Sequence, residues 1–324
     1  MRERLTGWGA RLSFGALLLV FSEWIVWQTP TSYQVLDWAA LAVIYLALAA
    51  VMLDLVARFH VYEVFSLLLV AGLYGLVNAT LISHVTTRDL PLSLLVRPLG
   101  AQPLAFIGAL ACFQLLTSGR ASGPIEFLFA AAAGLVWGIW VRWFPVVTSG
   151  PVDETDIIPA LLMLGIGLIV CLALRYVLPR ADIHRHDDWL LYPMEWAAAG
   201  GVLFVTLVVG MSQGYISGIG VGIVGTIVMF ILGILYMTLS LRRKKSYLST
   251  ITPIRKPNPA AWIILLVPFL LVGWVGYELP GSGDSSAQSD ILIGALTGFA
   301  LIWLPAISVV IGVRTFIQLA REET

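Results

Sequence analysis

Two carboxylates in this sequence fall inside long apolar runs, where an ionised group costs about 2.5 to 3.5 kcal/mol on membrane-insertion scales and so marks a functional hypothesis by default. Glu23 lies close to the middle of a run from 11 to 29. Glu195 lies about 6 to 9 Å inside a run from 189 to 210, counting 1.5 Å per helical residue. Carboxylates at such depth can bind or couple a proton or cation, and the plainer reading of each is a buried acid, protonated or hydrogen-bonded to a neighbouring helix. Pro193 precedes Glu195 and, lacking an N–H, loosens the helix and frees a carbonyl to face a cavity. Arg175, near the inner end of the run from 157 to 178, is the expected partner of Glu195. Asn78, deep in the run from 62 to 83, is a binding candidate whose simpler role is a hydrogen bond between helices.

Other patterns exclude more than they assign. Gly210-Met211-Ser212-Gln213-Gly214 fits the G-x-S-x-G string of a nucleophile elbow but lacks the strand, helix and nearby base that string requires. No pair of deep histidines can hold a haem from two sides, and no lysine inside a run can form a Schiff base. Cys112 and Cys171 sit in apolar runs as small hydrophobes. His184 and His186 with Asp182, Asp187 and Asp188 form a loop cluster read as solvated rather than metal-binding. No cofactor, metal or nucleic-acid partner is expected, and enzymatic activity is disfavoured because no nucleophile and base converge.

Packing signals are stronger. Gly210, Gly214, Gly218 and Gly222 recur every four residues, which in a helix makes a groove where a second backbone can approach. A tight hairpin between two spans and an unwound, substrate-facing hinge are the two other readings of this series. Glu63 and Glu126 open their runs as helix-start groups, and Asp54 lies four residues before Arg58 as an interfacial ion pair. Trp137, Trp140 and Trp143 read as an interfacial aromatic belt, with a cation-binding wall as the alternative.

These residues must be positioned by helices that cross a bilayer. The chain has 324 residues, 59% hydrophobic and 12% charged, and a mean hydropathy of +0.91. A soluble domain carries roughly 25% charged residues. The apolar runs place about ten spans near 11–29, 38–57, 62–83, 103–118, 125–144, 157–178, 189–210, 218–241, 260–277 and 290–316. Residues 85 to 102, punctuated by Pro91 and Pro98, read as an interfacial or re-entrant segment, and Pro268 and Pro305 as possible helix breaks.

Loop charge orients the spans. Of the nineteen Lys and Arg, all but Arg88, Arg97 and Arg142 fall on one side, which the positive-inside rule makes cytoplasmic and which holds both termini. The first run reads as a retained signal-anchor helix. Arg242, Arg243, Lys244 and Lys245 form a basic run expected to contact anionic lipid at that face. Loops are too short for an extramembrane domain of about 50 residues.

The expectation is an all-α, polytopic helical bundle in the cell (inner) membrane, a single integral domain over 1–324 with possible five-plus-five halves 1–150 and 151–324. In span count and orientation it is similar to compact drug and metabolite transporters, a likeness of count alone. Two functional readings stay open. One is a secondary-transporter-like protein moving a small solute or lipid, with Glu23 and Glu195 as coupling carboxylates. The other is a non-catalytic subunit or assembly factor that meets a partner membrane protein or a second copy.

Overall fold

The computed structural model describes residues 2–27, 34–82, 92–143, 156–178, 186–240, 246–251, 254–279 and 285–322, and among them all regular structure is helical. Helix α1 (Arg2–Leu19) continues into a π-helical segment, Val20–Trp27. Then come α2 (Val35–Arg58), α3 (Val64–Leu81), and α4 (Leu92–Val96), which runs through a π-helical turn, Arg97–Ala101, into α5 (Gln102–Ser118). The chain continues with α6 (Pro124–Trp143), α7 (Ile157–Val177), α8 (Pro193–Ser212), α9 (Gly218–Ser240), α10 (Pro259–Glu278) and α11 (Ser285–Glu322). Ten helical segments are long and apolar enough to cross a membrane, at the places the apolar runs indicate.

Local chemistry sets the helix starts. Helices α6, α8 and α10 each begin on a proline, whose fixed φ suits the first turn and whose missing N–H is not needed there. Asn258 caps α10 by accepting from Ala260 N and Ala261 N at 3.2 and 3.4 Å, and Asp156 caps α7 by accepting from Ile158 N at 3.1 Å.

Three expectations about prolines are corrected. Residues 92–101 are helical and continuous with α5, so the fourth span starts at Ser93 rather than 103. Pro98 is tolerated because it falls in the π-helical turn, where the regular hydrogen-bond ladder is already interrupted. Pro268 and Pro305 do not break α10 or α11, which run through them.

The chain forms two compact units that interleave along the sequence. The first comprises Met1–Ala39, Gly108–Asp182 and Pro253–Ala295, and the second comprises Ala40–Ile107, Ile183–Thr252 and Leu296–Thr324. Each therefore draws on both halves of the chain.

The first unit is organised by α6 against α10. A Cβ on Gly134 would collide with Phe269 O, one on Gly138 with Gly273 O, and one on Gly276 with Leu135 O, so the two backbones touch where only glycine fits. Trp137 closes this seam, its ring 5.7 Å from that of Phe269 and pressed on Gly273. It is buried packing rather than part of an interfacial belt.

In the second unit α3 plays the corresponding part. Gly75 lies against Pro98 O and Gly72 against the Trp303 ring, while the Trp303 indole N–H donates to Leu99 O at 2.8 Å. That bond satisfies a carbonyl of the π-helical turn.

The glycine series at 210–222 behaves differently from a close-approach groove. Helix α8 ends at Ser212, Gly214 takes a left-handed φ of 70°, and α9 starts at Gly218, so the series lies across the turn between the two helices. A Cβ on Gly214 or Gly222 would meet nothing within 4 Å. Gly138→Val is accordingly expected to destabilise the purified protein by roughly 3 kcal/mol through forced separation of α6 and α10. Gly222→Ala should stay within about 0.5 kcal/mol. Thermal unfolding in detergent reads both, and equal losses would refute the assignment of the seam.

Candidate functional site

The structure gives Glu195 a local task. It is the third residue of α8, partly exposed, and its carboxylate accepts from Tyr192 N at 2.9 Å. The depth expected from the sequence is corrected, because the helix starts at Pro193 rather than 189, which puts Glu195 in its first turn. Pro193 begins the helix instead of loosening it. Glu126 repeats the arrangement two residues after Pro124, accepting from Gly123 N at 3.0 Å. The shared Pro-x-Glu string at 124–126 and 193–195 is the sequence signal for this role.

Glu23 is more deeply enclosed. It sits in the π-helical segment, 4% exposed and one turn from that segment's end rather than at the middle of the span. Trp140 donates its indole N–H to Val26 O at 3.0 Å, and Trp24 packs onto Gly167 with its ring edge-on to Trp38 at 5.8 Å. Such π-helical distortions recur at functional sites.

Arg175 is 2% exposed on α7 and reaches Arg255 O at 3.4 Å, while its buried Nε has no acceptor. It belongs to the first unit and Glu195 to the second. Arg255 N in turn donates to Thr117 O at 2.7 Å, which lays the chain before α10 across the end of α5.

Asn78 is fully buried and donates to Tyr45 Oη at 2.9 Å and Tyr74 Oη at 3.1 Å, joining α3 to α2. Arg242, Arg243, Lys244 and Lys245 lie outside the described residues, as do Asp182 and His184 of the loop cluster. Among the described residues no three His, Cys, Asp or Glu side chains gather as a metal site.

Arg97 was not singled out by the sequence, because 85–102 read as an outer segment. The structure buries it at 5% exposure in the π-helical turn before α5. The apolar residues on either side of it, from Leu94 to Leu99, are the signal that it belongs to a span.

The first unit holds an apolar crevice of about 400 Å³ between the π-helical segment, α5, α6, α7 and α10. Phe21, Cys112, Phe129, Leu168, Trp262 and Phe269 are among its walls, and Glu126 is the single carboxylate among its lining residues. Trp262 is held in place by donation to Leu168 O at 3.2 Å. The volume lies in the range of small-molecule pockets, roughly 300 to 1,000 Å³.

In the second unit, polar contacts converge on the end of α2. Asp54 is fully buried and accepts from Arg58 Nε at 2.9 Å, Arg58 Nη2 at 3.1 Å and Leu191 N at 2.7 Å. The ion pair expected from the i,i+4 spacing is present, and it also anchors the segment before α8. Ser246 Oγ donates to Val56 O at 3.1 Å and Tyr247 N to Val61 O at 2.6 Å.

Comparison with protein-family models, with curated proteins and with solved structures finds no match. What the fold and sites define is a class: a protein whose described residues are helical in all their regular structure and include ten helices of membrane-spanning length and apolarity. Substitution separates the acid that gathers buried donors from the one that serves a helix start. Asp54→Ala is expected to cost roughly 3 kcal/mol, because a buried N–H and a guanidinium lose their acceptor. Glu195→Ala should cost about 1 kcal/mol, a helix-start loss. Unfolding midpoints measure both, and a larger loss for Glu195→Ala would contradict the capping assignment.

Proposed function

We propose that this chain is a multi-pass membrane protein with both termini cytoplasmic, and that it binds and moves a lipid-like amphiphile through the crevice of its first unit. The carrying observation is the crevice itself: about 400 Å³, walled by apolar side chains of five helical segments, with one carboxylate on its rim. Apolar walls within helices of spanning length favour an acyl or other hydrocarbon chain over a hydrated solute. This narrows the small-solute-or-lipid expectation to its lipid arm.

Of the two coupling carboxylates expected from the sequence, Glu23 keeps that role in the proposal and Glu195 does not. Glu23 is enclosed on a distorted helix whose residues Phe21 and Ile25 line the crevice. A change in its ionisation would alter the polarity of a segment that the bound chain touches.

The second reading, a subunit of a larger complex or a homodimer, is favoured by one observation. Only 11% of the spanning window of α8 is buried.

Native mass spectrometry of protein extracted gently from its own membrane decides between them. The expected result is a retained amphiphile of lipid mass on a monomer or homodimer, displaced in Ala133→Trp, which fills the crevice, with the unfolding midpoint preserved. A stoichiometric partner protein and an empty crevice would overturn the proposal. In vesicles, Glu23→Gln should abolish pH-dependent movement of the retained molecule without unfolding the protein, and retained pH dependence would remove Glu23 from the mechanism.

A further inference from the structure

The second unit carries a cavity unlike the crevice. It measures about 150 Å³ and opens beside the α2–α3 turn, against the end of α9 and against α11. A cavity of that volume, roughly 150 Å³, takes up a molecule the size of benzene. Its wall combines the aromatic rings of Phe59, Tyr62 and Phe65 with Glu63, His60 and Arg314. Arg314 Nη1 donates to Glu63 Oε2 at 3.0 Å, and the guanidinium stands 5.8 Å from the Phe65 ring. These two side chains are 45% and 32% exposed, so both face the opening.

The turn that holds this wall is fixed in place. His60 adopts a left-handed φ of 48°, sustained by bonds from His60 N to Ala57 O at 3.0 Å and from Val61 N to Val56 O at 3.0 Å. Tyr247 N, donating to Val61 O, and Ser246 Oγ, donating to Val56 O, clamp it from the segment before α10. A strained turn held by several bonds keeps its neighbouring side chains preorganised for a ligand.

We propose that this cavity is a headgroup site for a zwitterionic, ammonium-bearing phospholipid. The ammonium enters beside Glu63 among the three aromatic rings, and the phosphate rests on Arg314 at the mouth. Aromatic faces with a carboxylate suit an ammonium, and the guanidinium fork, with one of its five N–H groups on Glu63, suits a phosphate. The adjacent opposite charges match a headgroup whose own charges are adjacent and opposite, while Glu63 repels a headgroup of net negative charge.

The position of the cavity argues for a lipid over a free metabolite. It lies where the apolar windows of α3 and α9 end, at Val64 and Leu239, and alongside that of α11. Val64, Leu239 and Val313 leave apolar surface exposed around it, where acyl chains attached to a headgroup would lie. The site belongs to the unit that does not hold the crevice, and its assignment stands independently of the proposed transport.

Native mass spectrometry of the delipidated full-length protein, titrated with phosphatidylethanolamine, phosphatidylcholine and phosphatidylglycerol, tests it. Wild type should prefer each zwitterionic lipid over phosphatidylglycerol by about tenfold. Glu63→Gln and Arg314→Gln should each bring that ratio close to one, and the crevice-filling Ala133→Trp should leave it unchanged. Phe65→Leu, which keeps the ion pair, should lower the ratio if either charge variant fails to fold. Equal or tighter binding of phosphatidylglycerol, or an unchanged ratio in the site variants, would overturn the proposal. Competition by soluble phosphoethanolamine at concentrations equal to the lipid would overturn the lipid assignment.

Discussion

Polar main-chain atoms exposed by irregular turns inside long apolar helices must find partners within the protein, because hydrocarbon side chains supply none. This chain meets that constraint largely with tryptophan. The indole N–H groups of Trp140, Trp262 and Trp303 donate to Val26 O, Leu168 O and Leu99 O, and two of those carbonyls belong to π-helical segments. Each bond places a large ring against a neighbouring helix, so satisfying the carbonyl also fixes the packing distance. Where no ring intervenes, glycine lets backbones meet directly, as at the α6–α10 seam.

Under the same constraint several acids take structural work. Glu126 and Glu195 accept main-chain N–H groups at helix starts, and Asp54 gathers three donors at the end of α2. These acids offset charges or orphan donors that helix ends and loops create. Glu23, Arg97 and Arg175 are, like Asp54, ionisable groups almost wholly enclosed within helices of spanning length. Two of the three ride on π-helical segments, which pair distorted backbone with charge.

The two units differ in the chemistry they offer. The first presents an apolar crevice with a single carboxylate on its wall, suited to a hydrocarbon chain. The second presents a small cavity where aromatic rings meet a carboxylate and a guanidinium, suited to a compact zwitterion. In the proposed readings, hydrophobic burial would govern affinity in the former, and matched charge would govern selectivity in the latter.

The sequence alone determined the number and approximate places of the helices long and apolar enough to cross a membrane, because apolar length is a local property. It also determined the Asp54–Arg58 pair, since four residues make one helical turn. It misjudged Glu195, because an error of four residues in a helix start moves a side chain by a full turn, from buried to capping. It misread 92–101, because Pro98 signals a break unless the backbone is already π-helical, and that depends on what packs beside it. Only the tertiary structure decided which glycines matter. Gly138 and Gly273 are far apart in sequence and come together when two helices find each other, whereas in the regular series at 210–222, conspicuous along the chain, Gly214 and Gly222 have room for a Cβ.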